Sequence, residues 1–325
     1  MCGINGFNFR DERLIREMDD ATKHRGPDDE GVFLSNHWSL GHNRLSIIDL
    51  SAAGHQPMVS RDKKFVITYN GELYNYLEMK KELEEKGCVF KSKTDTEVIL
   101  YAYQEWGADC LTRFNGMFAF AILNTETEEL FLARDHIGIK PLYYYHKGSR
   151  FVFSSEVKAI LKHGLDAPLN YEALNIYFRL LYVPSPLTMW KNIFKLPPAH
   201  YALVSKEGSV KLARYWEFKN GPLLRDKESI KKNISELLHD SVKRQLMSDR
   251  PVGVFLSGGI DSTIITGIMS TLSEHVNTFS VGFETTEQAE KYNSDFLVAR
   301  RTAKHFNTKH HEYVISAQDV VNNLE

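Results

Sequence analysis

The sequence predicts two successive domains: an α+β layered domain, then the start of an α/β domain built on a doubly wound parallel sheet. Three observations lead there. A chain of 325 residues, 42% of them hydrophobic, is long enough to bury two cores. Strand-like segments outnumber helical ones as far as about Val204, with helices lying between groups of strands. From Pro251 onward strands and helices alternate, the pattern of a parallel sheet covered by helices. We place the domains at residues 1–213 and 214–325. The second offers too few strands for a complete doubly wound sheet and is expected to be a truncated, N-terminal part of one.

In the first domain Gly3 to Asn8, Val32 to Leu34, Ser39 to Leu45 and Phe65 to Tyr69 read as short strands between polar or glycine-bearing turns. Asp11 to Lys23 carries Leu14, Ile15, Met18 and Ala21 at helical spacing. A second helix is expected from about Glu72 to Lys86, with Leu73, Tyr76, Leu77 and Leu83 on one side and Gly87 stopping it. A third opens at Thr94-Asp95-Thr96-Glu97, where Thr94 caps the backbone and Glu97 reaches back in a capping box. Strands return at Gly116 to Ile122, Leu130 to Ala133, Leu142 to Tyr145 and Arg150 to Ser154. Ser205 to Asn220 reads as turn-rich and Gly221-Pro222 as a linker. Beyond it come a helix (Asp226 to Met247), a strand (Val252 to Leu256), a helix (Ile260 to His275), a strand (Asn277 to Phe283), a helix (Ser294 to Phe306) and a strand (His311 to Ile315). A last helix, capped by Ser316, runs into Glu325.

Bulk composition narrows the function classes. Charged residues make up 25% and the formal net charge is -2, which gives no reason to expect a nucleic-acid or anionic-membrane surface. The three cysteines, Cys2, Cys88 and Cys110, lack C-x-x-C spacing, which argues against a disulfide framework and a zinc site and for a reducing, cytoplasmic compartment. No secretory signal is expected at the start, and no run approaches the roughly 18 apolar residues of a membrane span.

Cys2 is the first chemical landmark. Once Met1 is removed, a thiol and a free α-amine of similar pKa sit on one residue, a nucleophile with its own base. While Met1 remains, that base is absent. Asn70-Gly71-Glu72, read as a turn between a strand and a helix, offers a side-chain amide and a backbone N–H that can together hold an oxyanion. Arg44 supplies a forked donor suited to a carboxylate, and Asp95 an acid in the first turn of its helix. An arginine for an α-carboxylate and acids for an α-amine are what a free amino acid requires.

The second domain carries a different loop. Ser257-Gly258-Gly259-Ile260-Asp261-Ser262 follows an apolar strand and opens a helix, so its glycines, serines and first helical N–H groups can cradle a phosphate. It lacks the Gly-Lys-Ser/Thr ending of a Walker A loop. Asp261 is the best magnesium ligand, and Leu256, Val281 and Gly282 lie where adenine would rest at the carboxyl ends of parallel strands. Asp295 is read as a helix cap, and His305, His310 and His311 as surface or strand-end residues.

These motifs also carry a family resemblance. The loop resembles the S-G-G-x-D-S pyrophosphate loop of ATP pyrophosphatases. Met1-Cys2-Gly3-Ile4, His24-Arg25-Gly26-Pro27-Asp28, Arg44-Leu45-Ser46-Ile47, Asn70-Gly71-Glu72, and Arg134-Asp135 with Gly138-Ile139-Lys140-Pro141-Leu142-Tyr143-Tyr144 resemble class II glutamine amidotransferase domains in content and order. Together they resemble the glutamine-hydrolysing asparagine synthetase family. The resemblance implies an αββα N-terminal-nucleophile domain in which Cys2 attacks glutamine and Asn70 and Gly71 form the oxyanion hole. Arg44, Glu72 and Asp95 bind the amino-acid end of glutamine, with the backbone of Leu45, Ser46, Ile47 and Ile48 assisting. It further implies ATP held by Ser257, Gly258, Gly259, Asp261 and Ser262, a Mg2+ ion, and aspartate activated as an acyl-adenylate and amidated by the released ammonia. No nucleic-acid or membrane partner is implied, and a homodimer is allowed. The family's S-G-E-G-x-D motif is absent from these residues, so another carboxylate acceptor, such as a cell-wall or surface-sugar precursor, or glutaminase activity alone, stays open.

Overall fold

The computed structural model describes residues 1–222, 225–285 and 293–324. It divides into two compact units, Met1–Asn220 and Gly221–Glu325.

The first unit runs β1 (Gly3–Phe7), α1 (Glu12–Thr22), β2 (Asp29–Leu34), β3 (Ser39–Arg44), β4 (Met58–Val59), β5 (Phe65–Leu73), α2 (Tyr76–Glu85), α3 (Asp95–Trp106), β6 (Gly116–Asn124), β7 (Glu129–Arg134), β8 (Tyr143–Lys147), β9 (Arg150–Ser154), α4 (Val157–Leu161), α5 (Tyr171–Leu180), β10 (Ile193–Lys195), β11 (His200–Val204) and β12 (Val210–Arg214). The strands form two antiparallel sheets, ordered β10-β8-β9-β1-β3-β2 and β12-β11-β7-β6-β5-β4. Apolar residues from the facing sides, among them Ile4, Leu40 and Phe153 of the first sheet and Val66, Ala121 and Leu132 of the second, make one dry core. The outer face of the first sheet buries Phe7 and Val152 against Ile15 and Met18 of α1 and Ile160 of α4. α2 and α3 lie outside β5, so the layers run helix, sheet, sheet, helix. β1 is buried along its whole length, as a central strand with a sheet core on one side and a helix on the other must be.

Several sequence expectations change here. β5 continues through Asn70, Gly71 and Glu72 to Leu73, because its pairing with β6 persists to Leu73 opposite Gly116. The expected helix therefore starts at Tyr76 instead of Glu72, and buries Tyr76, Met79 and Leu83 while Leu77 faces solvent. Thr94 does cap α3, but the Glu97 carboxylate accepts from Lys91 N, Ser92 N and Ser92 Oγ, so no capping box closes. The supposedly turn-rich segment after Val204 contains β12, paired with β11 from His200 opposite Arg214 to Val204 opposite Val210.

The second unit contains α6 (Lys227–Gln245), β13 (Gly253–Phe255), α7 (Ile260–Leu272), β14 (Asn277–Phe283), α8 (Ser294–His305), β15 (Lys309–Ile315) and α9 (Ala317–Asn322). Its three strands are parallel, in the order β13-β14-β15. Val254 packs with Met269 of α7 and Val242 of α6. On the opposite face Phe255, Phe279, Val281, Phe283 and Tyr313 are exposed. Ser316 caps α9 as expected, and Asp319 completes a capping box that the sequence reading did not include, while Glu325 lies outside the described residues. No helix among the described residues is long and apolar enough to cross a membrane.

Candidate active site

Three strand ends meet at one edge of the two antiparallel sheets. β1 begins at Gly3, opposite Asn43 near the end of β3, and β5 ends close by at Leu73. Cys2 precedes β1 and Leu45 follows β3, so the Leu45 amide donates to the Cys2 Sγ at 3.3 Å. Burial pushes the Cys2 thiol pKa up, and the Leu45 N–H, which favours the thiolate, opposes that rise. The carbonyl of Cys2 accepts from Arg25 Nε at 2.9 Å. Met1 precedes Cys2, so the Cys2 nitrogen is a peptide nitrogen.

β5 presents its functional residues on alternate faces. The Thr68 hydroxyl donates to Gly41 O at 3.2 Å, fixing that face of β5 towards β3. By the two-residue period Asn70 and Glu72 share it. Asn70 is 1% exposed and its Nδ2 is buried without a partner, a donor held ready for an acceptor. At Gly71 any Cβ would lie 2.3 Å from Met117 O, so only glycine lets β5 approach β6 there. Tyr69 takes the other face and donates to Asp95 Oδ2 at 2.8 Å, beside the Leu73 amide at 2.9 Å.

Cys2, Arg44, Leu45, Ile47, Ile48, Gln56, Tyr69, Gly71, Glu72, Thr94, Asp95 and Thr96 line one small cavity. Ser46 lies beside it, its amide held by Asp28 Oδ2 at 2.8 Å. The Arg44 guanidinium donates to the carbonyls of Ile48, Asp49 and Ser51, which folds the 45–51 loop over the end of β3. Burial raises the pKa of both Glu72 and Asp95, and the Asp95 charge adds to the rise at Glu72. Lys140, 5% exposed, is the nearby cation, its own pKa lowered by burial and raised back by Glu72 and Cys2.

Sequence reasoning placed Cys2, Arg44, Leu45, Ile47, Ile48, Gly71, Glu72 and Asp95 on this cavity, and left out Gln56, Tyr69, Thr94 and Thr96. Gln56 accepts from Tyr69 N at 2.8 Å and donates to Thr96 Oγ1 at 3.2 Å, tying the 55–57 turn to β5 and α3. Only the tertiary meeting of the 55–57 turn with β5 reveals it. Lys140 stood in a quoted motif without a role.

In the second unit the loop after β13 is built around Gly258, whose φ of +77° and contact distance of 2.5 Å from an added Cβ to Asp295 O both demand glycine. Ser257 Oγ and Ser262 Oγ lie 3.1 Å apart, and α7 opens at Gly259 without a side-chain cap, leaving first-turn N–H groups for an anion. A cavity of about 470 Å³ is lined by Phe255, Leu256, Ser257, Phe279, Ser280, Val281, Phe283, Ser294, Asp295 and Phe296. Gly282 is not on it: it faces the Phe296 ring, 3.1 Å from where a Cβ would stand. Asp295 is no cap either, since α8 opens at Asn293. His310 is a strand-end residue near the start of β15 and bridges Thr278 and Ser280 of β14. Among the described residues no three His, Cys, Asp or Glu side chains form a metal-binding group.

Residues 1–216 match the family model described as glutamine amidotransferase domain, and residues 233–325 match the one described as asparagine synthase. The chain belongs to the glutamine amidotransferase family. Among its relatives, asparagine synthetase [glutamine-hydrolyzing] 3 of Bacillus subtilis is 38% identical, over 100% of this chain and 56% of that protein. Asparagine synthetase [glutamine-hydrolyzing] 1 of the same organism is 36% identical, over 100% of this chain and 52% of its own length. The chain thus spans little more than half the length of these two relatives. Among solved structures, the B. subtilis glutamine phosphoribosylpyrophosphate amidotransferase superposes with a TM-score of 0.52 at 17% identity, over 100% of this chain and 71% of that one. That likeness carries the fold alone, an α+β layering of sheets and helices, and the parallel β13-β14-β15 sheet gives the second unit its α/β character.

Proposed function

We propose that this protein is an ATP-dependent amidotransferase that hydrolyses glutamine at Cys2 and uses the ammonia to convert aspartate into asparagine. The reading divides the chain into a glutaminase domain, residues 1–213, and the N-terminal part of an ATP-pyrophosphatase synthetase domain, residues 214–325. The observation that carries it is the single cavity where Cys2, Arg44, Glu72 and Asp95 converge beside the unpartnered amide of Asn70.

The chemistry follows from those groups. With Met1 removed, the Cys2 α-amine takes the thiol proton and Sγ attacks the glutamine amide carbon. Charge developing on the amide oxygen is met by Asn70 Nδ2 and the Gly71 N–H, ammonia leaves, and water hydrolyses the thioester. Arg44 and the Leu45 to Ile48 backbone receive the α-carboxylate, while Glu72 and Asp95 receive the α-ammonium. In the synthetase domain Ser257, Gly258, Gly259, Asp261 and Ser262 hold the pyrophosphate of ATP, with adenine against Leu256 and Val281 and Gly282 supporting the strand behind. Asp261 is the carboxylate that would help hold a Mg2+ ion bound with the nucleotide, and such an ion would supply charge neutralisation at the phosphates. A cytoplasmic location and a homodimer are part of the same proposal.

A glutamine-like diazoketone is expected to label Cys2 and neither Cys88 nor Cys110 in protein lacking Met1, read by peptide mass mapping. An unlabelled Cys2 in a folded sample would sink the glutaminase assignment. ATP/pyrophosphate exchange on the intact protein, with aspartate tried first, tests the acceptor.

A further inference from the structure

Beyond the cavity, the nucleophile is held by a second set of contacts. Cys2 lies one residue outside β1, where chain ends ordinarily fray, yet its carbonyl accepts from Arg25 Nε at 2.9 Å. The Arg25 side chain is 8% exposed and its Nη1 donates to Glu156 Oε1 at 2.8 Å. The same oxygen meets His24 Nε2 at 2.9 Å, and Lys158 Nζ stands 3.2 Å from the other. Glu156 itself is fixed from behind. Its amide donates to Ser154 Oγ at 3.0 Å, and that hydroxyl donates to Asn5 Oδ1 of β1 at 2.6 Å. Next to it Ser155 exchanges two bonds with Ile4, accepting at Oγ from Ile4 N at 3.1 Å and donating its own amide to Ile4 O at 2.9 Å.

We propose that Glu156 is a positioning residue for the Cys2 nucleophile, acting through Arg25. The end of β9 and the 3-10 turn at Lys23–Arg25 are thereby tied to residue 2 by a carboxylate, a guanidinium and a carbonyl in series. An arginine anchored at one nitrogen of its rigid fork presents the others in a set direction, which a free arginine does not. Burial acts against the charge on Glu156, and the bonds from Arg25, His24 and Lys158 outweigh it, so the carboxylate pKa stays below its ordinary value and the acceptor remains charged at neutral pH. Fixing the Cys2 carbonyl removes rotation about the backbone that carries both the thiol and the amine. The proposal rests on Cys2 being the glutaminase nucleophile.

The test is glutamine hydrolysis by the full chain lacking Met1, as wild type, E156A and E156Q. E156A is expected to lower kcat by about tenfold or more, since small misplacements of a reacting group are costly, with KM for glutamine unchanged. E156Q keeps an acceptor for Arg25 and should stay within about threefold of wild type, a far smaller loss than misplacement causes. Wild-type kcat in E156A, or a raised KM with kcat unchanged, would overturn the proposal, as would E156Q falling as far as E156A. A second readout is the rate of Cys2 alkylation by iodoacetamide against pH, followed by mass spectrometry: a shifted profile in E156A, restored in E156Q, supports positioning, and superimposable profiles oppose it. If the wild type releases no ammonia from glutamine, the glutaminase reading fails, and the alkylation profiles still decide the positioning.

Discussion

At the scale of single residues, Asn70 is the side chain with most to lose. Its amide nitrogen is buried without a protein partner, an arrangement that costs about 1–3 kcal/mol and that an acceptor on a bound ligand would relieve. On the proposed reading Asn70→Ala is expected to cut the kcat of glutamine hydrolysis by about a hundredfold to a thousandfold, the usual effect of removing one oxyanion donor, while diazoketone labelling slows and the unfolding midpoint holds or rises. An unchanged kcat would take Asn70 out of the reaction. The residue types at this site were readable from the sequence because nucleophile, amide, arginine and acid each announce a chemistry. Gln56 and Tyr69 were not: a glutamine after a turn and a tyrosine in a strand have many ordinary uses, and only their bonds to each other and to Asp95 give them a place.

At the scale of elements, α1 is pinned to β1 by a titratable contact. Asn5 donates to Asp19 Oδ1 at 2.7 Å, and burial pushes the Asp19 carboxyl up to about 7. A value above the ordinary unfolded one of about 3.9 means the neutral acid is favoured in the fold, so stability is complete below about pH 4 and lost as the pH rises through 7. Asp19→Asn is expected to remove that loss, on the order of 4 kcal/mol at most, and so to raise the unfolding midpoint more at pH 8 than at pH 5. Equal shifts at both pH values would contradict it. Element types were mostly legible from periodicity, but ends depended on pairing. β5 outran its predicted end because β6 lies beside it for its whole length, and Glu97 left its predicted cap because three donors in the preceding turn compete for it.

At the scale of the whole molecule, the two units differ in how much apolar surface they bury. Met1–Asn220 buries apolar residues on both faces of its central strands, whereas the parallel sheet of the second unit leaves Phe255 at 85% and Phe279 at 40% exposure. A fragment of residues 1–220 is therefore expected to unfold cooperatively on its own and, freed of Met1, to keep the glutaminase activity of the full chain. An unfolded or inactive fragment would show that the first unit relies on the second. The layered class of the first unit and the parallel class of the second followed from the order of strands and helices. β10, β11 and β12 were not foreseen, being short strands whose pattern matters only against β7 and β8.

The neighbouring acids Glu72 and Asp95 carry a calorimetric consequence. With burial raising both pKa values and the Asp95 charge adding to the rise at Glu72, the pair keeps a proton that two ordinary carboxylates would surrender at neutral pH. An arriving α-ammonium supplies the missing positive charge and expels that proton to the solvent. The heat of glutamine binding at pH 7 should then differ between phosphate and Tris by an amount proportional to the buffers' ionisation enthalpies, and equal heats would mean that the acids enter complexation already ionised.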